Sequence, residues 1–299
     1  MAFRRWVLPP QFQLYVLMYT LFFSLGVSVF AAVIPTLFGI DRTWTILPGM
    51  ILGIICFVWS SRRVSKRVEA VTQRADQEMA KAQTMAQRAG PKAPGVMLQA
   101  IDASVAILKT GLIFRKWQFG VGTMLNARIG MLLFSKAMVH QQARQKHEIR
   151  PAYLASIPFL KASQVKGKKA KLLHALWPAW AMLAVAHYRS NEGIEGAIRV
   201  LDETVKSSPK VGLLWSLYAW LLWKEKRLDD AIAVLARGKE KADKDKRLEE
   251  NLTALQNRKG MKMKAYGQQW YQFGLEQPRM AAAQAQIGHP RMKGSSRRR

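Results

Sequence analysis

Five histidines (His140, His147, His174, His187 and His289) and one cysteine, Cys56, are the side chains best suited to hold a metal or to act as base or nucleophile. Protein metal sites draw on such residues at short, repeated spacings. None of the histidines stands at that spacing from another His, Cys or carboxylate. His140 and His147 are seven residues apart on one expected helix, which more often means a shared solvent face. Gly120-Val121-Gly122 lacks the further glycines and the Lys-Ser/Thr pair of a phosphate-binding loop. Asp229 and Asp230 precede Ala231 at an expected helix start, where acidic groups complement the helix dipole. A single Cys permits no intrachain disulfide, and Cys56 reads as a small apolar filler. The expectation is a chain with no catalytic, cofactor-binding or metal-binding residue, and no enzyme.

The elements around these residues say more. Residues 6–40 carry no charged side chain, nor do residues 43–61, and only Asp41 and Arg42 lie between. A bilayer core takes about 20 apolar residues of helix, and in lipid every backbone group must be paired internally. Two transmembrane helices follow as the expectation, at about 12–38 and 43–61, joined by the tight turn Gly39-Ile40-Asp41-Arg42. Pro35 ends or kinks the first, and Pro48 suits the first turn of the second. The apolar run is far longer than a signal-peptide core of about 7–15 residues. Ser24 and Ser28, then Gly49 and Gly53, repeat at four-residue steps, and Gly49-Met50-Ile51-Leu52-Gly53 is a G-x-x-x-G. That spacing lets helix backbones approach closely. Packing within the hairpin is preferred over self-association of protomers. No ionisable group lies inside either span, which argues against a pump or transporter.

Lys and Arg flank the spans asymmetrically. Arg4 and Arg5 precede the first, and Arg62, Arg63, Lys66 and Arg67 follow the second. The excess of basic residues marks the cytoplasmic side, so both termini are expected there. A bacterial inner membrane is the expected setting. The whole chain of 299 residues has 47 Lys and Arg against 19 Asp and Glu, a formal charge of +28. Such a surplus attracts polyanions, and for a membrane protein anionic lipid headgroups come before nucleic acid.

After the spans the chain reads as helix. Residues 62–90 carry Val64, Val68, Val71, Ala75, Met79, Ala82 and Met85 at three- and four-residue steps, an amphipathic stalk. It suits a partner helix or the headgroup layer. Pro91, Pro94 and Gly95 mark the expected domain boundary. Residues 97–116 and 123–147 read as helices, and Pro151, Pro158 and the basic stretch 161–171 as a looser connection. Two helix pairs follow, then Lys246 to Asn257 as a closing helix.

Those two pairs align on each other at a spacing of 34 residues. Ala181 aligns with Trp215, Ala184 with Tyr218, Val185 with Ala219, Tyr188 with Leu222, Ala197 with Ala231 and Leu201 with Leu235. Pro209 closes the first unit. A helix-turn-helix period of 34 is the tetratricopeptide signature, and residues 177–238 resemble that family. Residues 126–147 resemble at best a degenerate unit. The resemblance implies an all-α fold in which stacked helix pairs form a solenoid, here over residues 96–277 with a C-terminal cap, behind the membrane hairpin. It also implies protein binding on the concave face. The inner positions fall on Met182, Arg189, Leu213, Ser216, Trp220 and Trp223. These give an apolar, aromatic groove without the Lys and Asn of the subgroup that clamps a carboxylate. Two readings of Trp220 and Trp223 compete: anchors for a partner helix, or side chains packed under the closing helix.

Residues 261–277 place Tyr266, Trp270, Tyr271 and Phe273 among Lys259, Lys262 and Lys264. That mixture can stack on nucleic acid. Folding back to cap the solenoid is preferred, because exposed Trp and Phe are costly. Residues 278–299 lack any acidic group, end in three arginines and are expected to be a disordered tail. The function expected is a membrane-anchored adaptor or scaffold that recruits or assembles a protein complex at the cytoplasmic face. Homo-oligomers through hairpin or stalk are a further expectation. The alternative is a tethered binder of nucleic acid, ribosomes or anionic lipid.

Overall fold

The computed structural model describes residues 23–30, 33, 42–117, 120–165, 174–190, 192–242 and 244–276. Among them there are helices and no strand. The turn expected at 39–41, most of the expected span at 12–38 and the tail at 278–299 lie outside the described residues.

The first long element, α1 (Arg42–Ala89), is a single helix of 48 residues. Its first turns come from the charge-free stretch, and its remainder from the amphipathic one. The helical run Met50–Lys116 contains the one window among the described residues that is long and apolar enough to cross a membrane. Phe57, Val58 and Trp59 stand outward on it. Residues 23–30 form a helical turn beside it, where Ser28 donates to the Ser24 carbonyl at 3.0 Å. Gly53 of α1 faces Ser24 and Ser28 so closely that a Cβ there would collide with the Ser28 hydroxyl.

A 3-10 turn at Gly90–Lys92 leads into α2 (Ala93–Gly111), with Pro94 in its first turn, where a missing N–H costs nothing. α2 folds back antiparallel along α1. The Ser104 hydroxyl bonds to the Ala75 carbonyl at 3.1 Å, and a Cβ on Gly111 would stand 3.1 Å from Val71 Cγ1. A 3-10 turn at Leu112–Lys116 and a left-handed Gly120 (φ 82°) then reverse the chain into α3 (Val121–Gln142). Val64, Val68 and Ala75 of α1 join Ile101, Val105 and Leu108 of α2 and Val121, Leu125 and Ile129 of α3 in one buried cluster.

This corrects two expectations. Part of the stripe on residues 62–90 is covered by the chain's own α2 and α3, so that part is not a free stalk for a partner helix. The Pro91–Gly95 segment is a tight turn inside one packed unit rather than a boundary between domains.

The next helix, α4 (Lys146–Ser163), contains both Pro151 and Pro158, where a loose connection was expected. Interior prolines cost roughly 3 kcal/mol each in lost bonding and clashes. The offset is burial. Tyr153, Leu160 and Ser156 pack against α3, with the Tyr153 and Phe134 rings edge-on at 5.1 Å. Gly130 lets α4 approach so closely that a Cβ would meet Leu160 Cγ at 2.6 Å.

Five more helices follow among the described residues before the C-terminal segment: α5 (Trp177–Arg189), α6 (Gly193–Ser207), α7 (Gly212–Lys224), α8 (Leu228–Lys241) and α9 (Lys246–Gln256). α5 packs on α6 and α7 on α8. Ala197 and Ala231 are fully buried at the two pair interfaces, and Gly238 leaves room for Trp215, whose indole donates to the Pro209 carbonyl at 2.8 Å. Trp180 reaches back to the Ser163 carbonyl at 3.0 Å and ties α5 to α4. α3 is the shared wall, giving Leu125 and Ile129 to the α1–α2 cluster and Phe134 and Ala137 to the larger core.

Candidate partner-binding face

α5 and α7 present the residues expected to line a groove. α7, Gly-Leu-Leu-Trp-Ser-Leu-Tyr-Ala-Trp-Leu-Leu-Trp-Lys, is apolar on almost every side. A helix apolar all round must be buried all round. α6 and α8 cannot cover it completely, so something else must.

That cover is the chain's own C-terminal segment. After α9 the left-handed Arg258 (φ 52°) turns the chain, and the buried Asn251 accepts from the Lys262 N–H at 2.7 Å. A 3-10 turn at Met263–Tyr266 and the short α10 (Gln268–Tyr271) follow. Tyr266 and Ser216 share a buried hydroxyl–hydroxyl bond of 2.8 Å. The Trp270 ring meets Trp220 edge-on at 5.2 Å and Phe273 at 6.2 Å, and its indole donates to Glu276 at 3.2 Å. At Gly274 (φ 63°) the strap reaches α3 and α4, where a Cβ would stand 2.8 Å from Met138 Sδ. Burial pushes the Tyr266 hydroxyl well above its ordinary pKa, and it stays a neutral hydrogen-bonding group.

The expected groove is therefore corrected. Met182, Leu213, Ser216 and Trp220 are buried, and the strap occupies the surface of Ser216 and Trp220. The closing helix α9 contributes, but the aromatic contacts come from beyond it. Trp223 and Arg189 are the two expected groove residues that keep access to solvent. Trp223 is half-buried, with its ring beside Gly260 and the Lys224 ammonium 4.8 Å from its centroid. Lys224 also stands 5.0 Å from the Trp220 ring. Tyr188 donates to Glu225 at 2.8 Å and so links the C-terminal ends of α5 and α7. Arg189 and Lys224 suit those ends, where helix dipoles favour cations. The result is a small cationic, aromatic rim beside a filled groove.

No group of three or more His, Cys, Asp or Glu at metal-binding distance occurs among the described residues. His187 is buried beside Glu192, its Nδ1 3.1 Å from Oε1 without hydrogen-bond geometry. Burial depresses its pKa against the pull of Glu192. The Tyr218 hydroxyl is held neutral by burial and by its bond to Asp202 at 3.0 Å. Both groups are buried in the helix packing. Sequence reading had the strap aromatics fold back over the helical repeats, without naming α7 as the helix they cover. The signal for it was α7 itself, which has more apolar faces than its repeat neighbours can cover. No family model, curated protein or solved structure matches this chain.

Proposed function

We propose that this protein is a membrane-anchored helical scaffold of tetratricopeptide-like build that recruits a protein partner to the cytoplasmic face. The observation that carries the reading is the continuity of α1. One unbroken helix carries the charge-free residues 43–61, apolar and outward at Phe57, Val58 and Trp59, and then Val64, Val68 and Ala75 inside the packed domain. A domain joined this way is held close to the bilayer. The contact of Gly53 with Ser24 and Ser28 supports a two-helix anchor, in which small residues bring the spans together. The stacked pairs α5–α6 and α7–α8, with Ala197, Ala231 and Gly238 at their crossings, support the repeat reading.

The working surface is then the rim of Arg189, Trp223 and Lys224, with the strap filling the inner face from behind. A half-buried Trp with the Lys224 ammonium over its ring suits an acidic or aromatic peptide segment. Trp223→Ala should remove partner recruitment while leaving the protein in the membrane and helical. If the variant keeps the full set of co-purifying proteins, the rim is not the working surface.

The charge of +28 favours a second reading, a binder of nucleic acid or ribosomes at the membrane. Salt separates the two. Polyanion binding falls steeply between about 50 and 200 mM salt through counterion release, and aromatic docking changes little.

A further inference from the structure

We infer that the 3-10 turn Leu112–Lys116, with Trp117, is a second foot on the bilayer, seated in an anionic headgroup layer. This rests on the proposed membrane anchor. Leu112 and Phe114 turn inward and pack on the cluster that holds Val64 and Val68. Ile113 turns outward and is 68% exposed, and Trp117 is 44% exposed. Arg115 and Lys116 are exposed between them. Isolated exposed apolar side chains are ordinary. Here a large aliphatic, an indole and two cations stand together on one short turn, the composition that settles at a membrane interface.

The position of the turn decides what it meets. Trp59 lies outward on α1 with the Arg63 guanidinium 5.2 Å from its ring centroid, an aromatic–cation pair that marks the end of the span. Gly111 lies level with Val71. From Val71 back to Arg63 is about 12 Å at roughly 1.5 Å per helical residue. α2 runs antiparallel to α1, and its backbone continues without a break into the 3-10 turn. Five residues at about 2.0 Å each return the chain by roughly 10 Å. The turn therefore ends near the level of Arg63, on the bilayer side of the domain. Charge matches as well. Residues 103–147 contain no Asp or Glu, and Arg62, Arg63, Lys66 and Arg67 stand on α1 at the same height. The foot would fix the tilt of the domain, since α1 alone leaves it free to lean.

The test uses the full chain with Cys56→Ala, reconstituted in nanodiscs of phosphatidylcholine alone or with phosphatidylglycerol. An environment-sensitive fluorophore is attached in turn at Val58→Cys, Ile113→Cys and Met85→Cys, and lipid-borne quenchers are placed at headgroup depth or in the acyl chains. Met85 is 59% exposed near the far end of α1 and serves as the control. The inference predicts deep quenching at position 58, headgroup-depth quenching at 113 that is stronger with phosphatidylglycerol, and none at 85. Arg115→Gln with Lys116→Gln should return the signal at 113 to its level in neutral discs, with an unchanged melting curve. Quenching at 58 with none at 113 overturns the foot and leaves the anchor standing. Equal quenching at 113 in both discs overturns the anionic recognition. Absence of quenching at 58 overturns the anchor and the foot together.

Discussion

Single residues set how closely the helices approach and how the fold responds to acid. At Gly130 a Cβ would stand 2.6 Å from Leu160 Cγ and 2.9 Å from the Leu160 backbone nitrogen, so neither neighbour can step aside. Gly130→Ala should therefore destabilise the full chain in detergent by about 1–3 kcal/mol, the usual cost of overpacking. Gly95 lies in α2 with nothing within 4 Å of a new Cβ, so Gly95→Ala should stabilise slightly, by at most about 1 kcal/mol. Circular-dichroism melts of the two variants compare these directly. His187 supplies the pH dependence. Its folded pKa is depressed by burial, so the unfolded chain takes up the proton first as pH falls. Stability should be unaffected above neutrality, decline as pH falls through about 6.5, and level off below the folded pKa. His187→Gln should flatten that part of the profile, and an unaltered slope would assign the loss to other groups.

Elements carry the strap and the anchor. Trp270 is fully buried between Trp220 and Phe273, so Trp270→Ala should cost about 3–5 kcal/mol of stability in the C-terminal half. Limited proteolysis should then cut between Gly260 and Gly274 while α1–α4 survive. Resistance to cleavage there would show that the strap is held by contacts other than this indole. At the proposed anchor, Gly53→Leu should separate the residues at 23–30 from α1, read in a Cys56→Ala background as loss of a crosslink between cysteines placed at Leu25 and Ile54, which line one cleft with Gly53.

What was legible in the sequence follows the range of the physics. A charge-free run, a period of 34 and small residues at crossings are local or repeating signals, and they located α1 and α5–α9. The fold-back of the strap was legible from its aromatics, but the helix that receives it was not, because Ser216 and Tyr266 are 50 residues apart and no local pattern pairs them. α4 was misread because proline rules act within a turn, whereas burial of Tyr153 and Leu160 is tertiary. The covered stripe of α1 has the same origin. Amphipathicity says that a face will be buried, and says nothing about which chain buries it.

For the whole molecule, the account joins an apolar helix start, a basic domain and a rim of Trp223 with its cations into one claim. The proposal is that the domain is held at a membrane and offers that rim to a protein partner. Affinity purification of the full chain from native membranes, at 50 and 500 mM salt, tests this most directly when the chain and its Trp223→Ala variant are run side by side. The account predicts that both remain in the membrane fraction. It predicts that a discrete protein partner stays with the native chain at both salt concentrations and is lost from the variant at both. Partners identical for the two chains, and released from both at high salt, would contradict it and assign binding to the net positive charge instead.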